Sequence, residues 1–289
     1  MMTMRRWGTS LIIAALSASV ALLGACSAPE EGESSSQPAA TPTWFASSPG
    51  VQAFPAGESV DLVYLSDSAG AGVADRYATL VGEALDREVK VHDHFVGGLG
   101  DLPSAIQFAW SDEVAQAEIV VVYGNTAGLD PPQTMGACVE ASGWAEEDAT
   151  PGLQGEPPVV ASAEDWQPVQ SVLDEVYLAI WELRAGKPTI IRTHDFYNPF
   201  LAPWTELGIE RECTANWEAL SGVLRDAAQA NGVGFASLLD VFNGTTHDED
   251  PREKGWIDVD GAHTSEAGAA VIAETLAAVG FDALRPTTE

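Results

Sequence analysis

The sequence predicts an α/β fold, a three-layer α/β/α sandwich around a mostly parallel sheet of five strands. Three observations predict it. Runs such as SVDLVYLS (59–66) and AEIVVVYG (117–124) are almost continuously apolar and rich in β-branched residues, as strands covered on both faces are. Between the runs lie segments whose apolar residues recur at helical spacing. The two kinds of segment alternate along the chain, which calls for crossover helices on both faces of the sheet.

Taken in order, the first strand, 59–66, breaks at Ser66-Asp67-Ser68 into small residues. The helix after it carries Val73, Tyr77, Leu80, Val81, Ala84 and Leu85 on one face. REVKVHDHFV (87–96) reads as a second strand ending near Val96, and 117–124 is the third. Trp166, Val169, Leu173, Val176, Tyr177 and Ile180 mark a long helix, and PTIIRTHDF (188–196) the fourth strand. Trp217, Leu220, Leu224, Ala227 and Ala228 mark a third helix. GVGFASLLDVF (232–242) reads as the fifth strand, and Val271, Ile272, Thr275, Leu276 and Val279 mark the last helix. These stripes are core positions.

Ahead of this domain, Arg5 and Arg6 precede an apolar stretch from Leu11 to Leu23 that ends in small residues. It is shorter than the roughly 20 apolar residues of a membrane span and reads as a cleaved export signal. LGAC, ending at Cys26, resembles the lipobox of bacterial lipoproteins. That resemblance implies lipidation of Cys26 and anchoring at the outer face of the cell membrane. The Ser-, Pro-, Glu- and Ala-rich residues that follow have little to bury and read as a disordered tether. The expected organisation is a leader at 1–25, a tether at 26–52 and one domain at 53–289.

The formal net charge is −30, and Lys is limited to Lys90, Lys187 and Lys254. A polyanion repels nucleic acid and anionic headgroups, so nucleic-acid binding is excluded, and the membrane is met only through the Cys26 anchor. The acidity reads as a solubility or salt-tolerance surface, with attraction of a cationic substrate as the sharper alternative. Cys138 and Cys213 remain after the leader and, outside the cytoplasm, are expected to pair. Neither has a second ligand at zinc spacing.

In parallel sheets ligands sit beyond the carboxyl ends of the strands. Those positions carry Ser68 after the first strand, Gly97-Gly98-Leu99-Gly100 after the second and Gly124-Asn125 after the third. His194-Asp195 follows the fourth, where it, with Phe196, Tyr197 and Trp204, is expected to line a pocket. Asp260-Gly261-Ala262-His263 precedes the last helix. His92 and His94 face the same way on a strand, but a metal would need a third ligand, and none stands at a telling distance.

In this order the blocks resemble the SGNH, or GDSL, hydrolase family of esterases and lipases, with its flavodoxin-like sandwich. SDSAGAG resembles the first block through Asp67, Ser68 and Gly72, with Ser66 where a glycine is usual. VGGLG resembles the second through Gly98. YGNT resembles the third through Asn125 alone, with Tyr123 for glycine and Thr126 for aspartate. DGAHTSEAG resembles the last through Asp260, His263 and Gly268.

The resemblance implies a serine esterase that needs no metal or cofactor. A serine hydroxyl needs a base to act as a nucleophile, and the neutral imidazole of His263 is one. A carboxylate three residues earlier can fix the tautomer and stabilise the cation. Asp260 has that spacing, with Asp258 as its competitor. The oxyanion donors implied are the N–H groups of Ser68 and Gly98 and the amide of Asn125, with Gly97 and Gly100 competing for the Gly98 role. Asp67 is expected to organise the turn. The expected substrate is an ester: a small molecule, a lipid or an acylated carbohydrate. The segment from Gly128 to Asp165 is expected to shape its pocket, and a monomer is expected. A non-catalytic envelope binding module on the same fold, and an acyltransferase to a sugar or lipid, are the alternatives.

Overall fold

The computed structural model describes residues 50–52, 59–144, 152, 156–281 and 283–285. The expected leader, Cys26 and, except for 50–52, the expected tether lie outside the described residues. The chain begins with β1 (Gly50–Gln52), β2 (Ser59–Ser66), α1 (Ala74–Leu85) and β3 (Glu88–Phe95). It continues through α2 (Leu102–Ser104), α3 (Ser111–Gln116), β4 (Ile119–Val122), α4 (Met135–Ala141), α5 (Gln167–Arg184) and β5 (Ile190–His194). Then come α6 (Leu201–Leu207), α7 (Glu210–Ala230), β6 (Gly234–Ala236), α8 (Leu238–Asn243), α9 (Glu266–Ala278) and β7 (Ala283–Arg285). β1 and β7 pair as a separate antiparallel ribbon.

The main sheet has the order β3-β2-β4-β5-β6, and every neighbouring pair is parallel. Its two faces follow from the pleat. Val60, Leu62 and Tyr64 of β2 enter the cluster that includes Val73, just before α1, Tyr77 and Val81 of α1, and Ile272 and Leu276 of α9. Val63 and Leu65, pointing the other way, join the cluster built on α5 and α7. Leu62 and Leu65 are both fully buried, each worth roughly 1.5–3 kcal/mol of transfer free energy. This double cover is why the strands read as unbroken apolar runs.

The chain leaves β2 for β3 on one side and returns to β4 on the other. The strand order therefore reverses beside β2, which opens a crevice at the carboxyl ends of β2 and β4. Ser68 and Asn125 follow those two ends.

One segment differs from expectation, and another carried no reading. The run 232–242 forms only the short strand Gly234–Ala236 and then turns helical at Leu238. Ser237 caps that helix by accepting from the Asp240 N–H, and the Asp195 carboxylate accepts from the N–H groups of Leu238 (2.5 Å) and Leu239 (3.1 Å). The signal is Ser237-x-x-Asp240, a capping pattern inside an apolar run. The crossover from β3 to β4, with no stripe in the sequence, is a broken helix. α2 carries Pro103, residues 105–109 form a wider turn, and α3 restarts at Ser111.

Cys138 on α4 and Cys213 on α7 form a disulfide, with Cα atoms 5.7 Å apart. The Trp204 Nε1–H donates to the Cys138 carbonyl at 2.8 Å, so α4 is fastened to both α6 and α7. α4 thereby becomes a fixed wall beside the crevice.

Candidate active site

β2 ends on Ser66; Ser66 and the following Asp67 are buried, whereas Ser68 is exposed. The Asp67 carboxylate turns the chain: Oδ1 accepts from the Ala69 N–H at 2.9 Å and Oδ2 from the Asn125 N–H at 2.7 Å. Burial pushes the Asp67 carboxyl above its ordinary pKa, and those two N–H groups pull it part of the way back. Asp67 therefore organises the turn and ties the loop after β2 to the loop after β4. Ser66 fits at this position because Gly70 lacks a side chain. A Cβ on Gly70 would stand 2.2 Å from Ser66 Oγ.

The imidazole comes from the other end of the chain. Ile257 and Thr264 bridge antiparallel, and the Asp258 N–H donates to the His263 carbonyl at 2.8 Å, closing the loop that precedes α9. Asp260 Oδ1 accepts from the N–H groups of Ala262 and His263, each at 3.0 Å, and Asp260 Oδ2 lies 2.5 Å from His263 Nδ1. His263 Nε2 lies 2.9 Å from Ser68 Oγ. The Tyr197 hydroxyl donates to the Ala262 carbonyl at 2.9 Å and pins the loop from below. Burial alone would raise the Asp260 carboxyl. The N–H groups of Ala262 and His263, with the imidazole, outweigh it and hold the carboxyl below its ordinary value. Asp258 spends its carboxylate on the N–H of Val259 at 2.7 Å, so Asp260 is the acid against the ring.

Asn125 stands where β4 has just ended. Its amide Nδ2–H donates to the Gly97 carbonyl at 3.1 Å, and its Oδ1 accepts from the Ala127 N–H at 3.1 Å. The Leu99 N–H donates to the Asn125 carbonyl at 2.7 Å. The two loops approach so closely that a Cβ on Gly124 would lie 2.8 Å from the Leu99 nitrogen. Gly98 is buried behind Asn125, and a Cβ there would come 3.1 Å from Asn125 Oδ1. Gly97 and Gly100 are exposed. Tyr123 is buried and stacks on His194 at 4.1 Å, and the Thr126 hydroxyl donates to Asp130.

A cavity of about 430 Å³ opens beside Ser68, His263 and Asn125. The segment after Gly128 supplies one wall through Asp130, Met135, Val139, Glu140 and Trp144. Phe196, Tyr197, Phe200 and Trp217 supply the opposite wall. Trp144 meets the His263 ring edge-on at 5.4 Å. Its role has no local sequence signal, because the contact exists only once α4 is fastened to α7.

Phe196 and Tyr197 line the cavity as expected; His194, Asp195 and Trp204 do not. They are buried beneath it. His194 donates from Nδ1 to the Asp195 carbonyl at 2.8 Å, and burial pushes its pKa down to about 4. Asp195 accepts from Ser221 (2.5 Å) and Ser237 (3.1 Å) as well as from the start of α8. Both are scaffold. His92 and His94 face Asp61 (3.2 Å) and Glu113 (2.5 Å) respectively. Among the described residues, no group of three or more His, Cys, Asp or Glu side chains is arranged to hold a metal ion.

No family profile matches the chain, and no curated protein matches it. Solved structures do. One described as a GDSL-like lipase from Parabacteroides merdae is 10% identical, with 79% of this chain and 98% of that chain covered, at a TM-score of 0.49. One described as an SGNH hydrolase from Slackia heliotrinireducens is 16% identical, with 76% and 98% covered, at 0.44. The psychrotrophic esterase EstA from Pseudoalteromonas sp. is 9% identical, with 76% and 95% covered, at 0.43. At such identities the likeness concerns the course of the chain and assigns no role to any residue.

Proposed function

We propose that this chain is a serine ester hydrolase of the SGNH type, exported and held at the membrane by lipid on Cys26. One observation carries the enzymatic reading: the run of contacts Ser68 Oγ to His263 Nε2 at 2.9 Å and His263 Nδ1 to Asp260 Oδ2 at 2.5 Å. Nucleophile, base and orienting acid stand in hydrogen-bond reach in that order, at the mouth of a cavity.

In this reading Ser68 Oγ attacks the ester carbonyl as its proton passes to His263 Nε2. Asp260 holds Nδ1–H and stabilises the imidazolium. The oxyanion is met by the N–H groups of Ser68 and Gly98 and by the Asn125 amide. That amide has two hydrogens: one is held by the Gly97 carbonyl, which orients the group, and the other is the donor assigned to the oxyanion. The imidazolium returns its proton to the departing alcohol. Water, deprotonated by the same ring, then releases the acid and restores Ser68. A fluorophosphonate tests the reading: it should label the wild type stoichiometrically at Ser68, and absence of labelling would leave a binding module instead.

Asn125→Ala should lower kcat by about 10²–10³-fold with KM little changed, because its donor acts on charge that exists only in the transition state. Steady-state kinetics on a soluble ester check this, and an unchanged kcat removes Asn125 from the oxyanion site. For the anchor, Cys26→Ser should release the chain from the membrane fraction into the medium. A mature chain whose intact mass carries no lipid would refute it.

A further inference from the structure

We infer that the cleft selects esters bearing a cationic group, an ammonium or quaternary ammonium, an inference that rests on the esterase reading. The walls are aromatic. Trp144 lies 6.2 Å from Phe200, and Trp217 lies 6.3 Å from both Phe196 and Phe200, ring centre to ring centre. All four rings line the cavity. Aromatic faces are the negative end of a quadrupole and attract cations, most strongly where water is excluded.

Besides Asp67, whose carboxylate organises the turn after β2, the acids Asp130 and Glu140 share the lining, and none of the described lining residues is Lys or Arg. Asp130 is half-buried and is met by a neutral partner, the Thr126 hydroxyl. Burial raises its pKa, and the hydroxyl offsets this in part. The half-buried Asp130 carboxylate shares its lining with aromatic rings and with no Lys or Arg among the described residues, so a cationic ligand would supply a counter-charge.

The competing ligand chemistries fit less well. A neutral alkyl ester would satisfy the rings and bring no charge to Asp130 or Glu140. An anionic ester would meet carboxylates with no Lys or Arg among the described lining residues, in a chain whose net charge is −30. That same charge draws cations toward the cleft from solution.

The test compares butyrylcholine with 3,3-dimethylbutyl butyrate, which has the same acyl group and shape but carbon in place of the charged nitrogen. The wild type should favour the cation by about 10-fold in kcat/KM, the scale of a desolvated cation–π contact with a nearby carboxylate. The preference should survive about 0.5 M salt, where the screening length is only about 4 Å and long-range steering is lost. Asp130→Asn with Glu140→Gln should cut the ratio to below about 3-fold. Because a ratio within one enzyme is read, a change in the amount of folded protein does not affect it. A second measurement uses the wild type alone: tetramethylammonium should inhibit p-nitrophenyl butyrate hydrolysis competitively, whereas neopentyl alcohol should do so more weakly. Equal kcat/KM on the two esters, or a preference that vanishes in high salt, overturns the inference and leaves the esterase reading standing. Hydrolysis of neither ester, together with no fluorophosphonate labelling, overturns the esterase reading itself.

Discussion

Ser68→Ala is expected to lower kcat on p-nitrophenyl esters by at least ~10³-fold across graded chain lengths. The magnitude follows from geometry. Ser68 Oγ stands 2.9 Å from the only ring nitrogen of His263 that Asp260 leaves open, so removing it takes away the group that ring would activate. Binding and oxyanion donors remain, and these sustain a residual rate well above that of free water. Stability is expected to change little. Ser68 is exposed, and the turn is held by the Asp67 carboxylate through Ala69 and Asn125 rather than by the serine hydroxyl. A thermal melt of the variant alongside the kinetics separates the two effects. Activity retained in a folded Ser68→Ala variant moves the chemistry to another residue.

Asp260→Asn is expected to lower kcat by about 10³–10⁴-fold, and Asp258→Asn by less than about 3-fold. The two acids lie on one short loop, yet their carboxylates differ in what they touch. Asp260 accepts two backbone N–H groups through one oxygen and faces His263 Nδ1 with the other. An amide in its place must direct either its oxygen or its NH₂ group at the ring. If the NH₂ faces Nδ1, the imidazole is forced into the tautomer that puts its proton on Nε2, where the serine proton has to go. Asp260 is also held below the ordinary carboxylate range, so it stays ionised wherever a neutral imidazole can act as base. The pH–rate profile should therefore keep its acidic limb in the Asp258 variant and lose its height in the Asp260 variant. Equal losses in both variants would remove Asp260 from the site.

These expectations draw on features with different legibility. The strand and helix alternation could be read locally, because two-sided burial makes a strand continuously apolar and one-sided burial gives a helix a stripe. The departures have physical causes as well. In 232–242 a strand-like composition hides a helix, since the cap for Leu238 and Leu239 comes from Asp195, more than 40 residues away. In 99–116 the stripe is broken by Pro103 and by a wider turn, so the crossover helix has no sustained period. His194 and Asp195 follow a strand end, as site residues do, but burial turns them into scaffold.

The sequence alone determined the chemistry on offer: a serine after the first strand of the sheet, a carboxylate and an imidazole three residues apart, an asparagine after β4, and the cysteines Cys138 and Cys213. It did so because residue identity and short spacing are local properties. Only the tertiary structure decided that Ser68 and His263, 195 residues apart, meet at one crevice, that Asp260 rather than Asp258 faces the ring, and that Gly98 packs behind Asn125. It also decided that the segment around α4, fastened through Cys138, becomes a wall bearing Asp130, Glu140 and Trp144. Such meetings depend on strand order and on the sum of many weak packing contacts, and no short stretch of chain contains either.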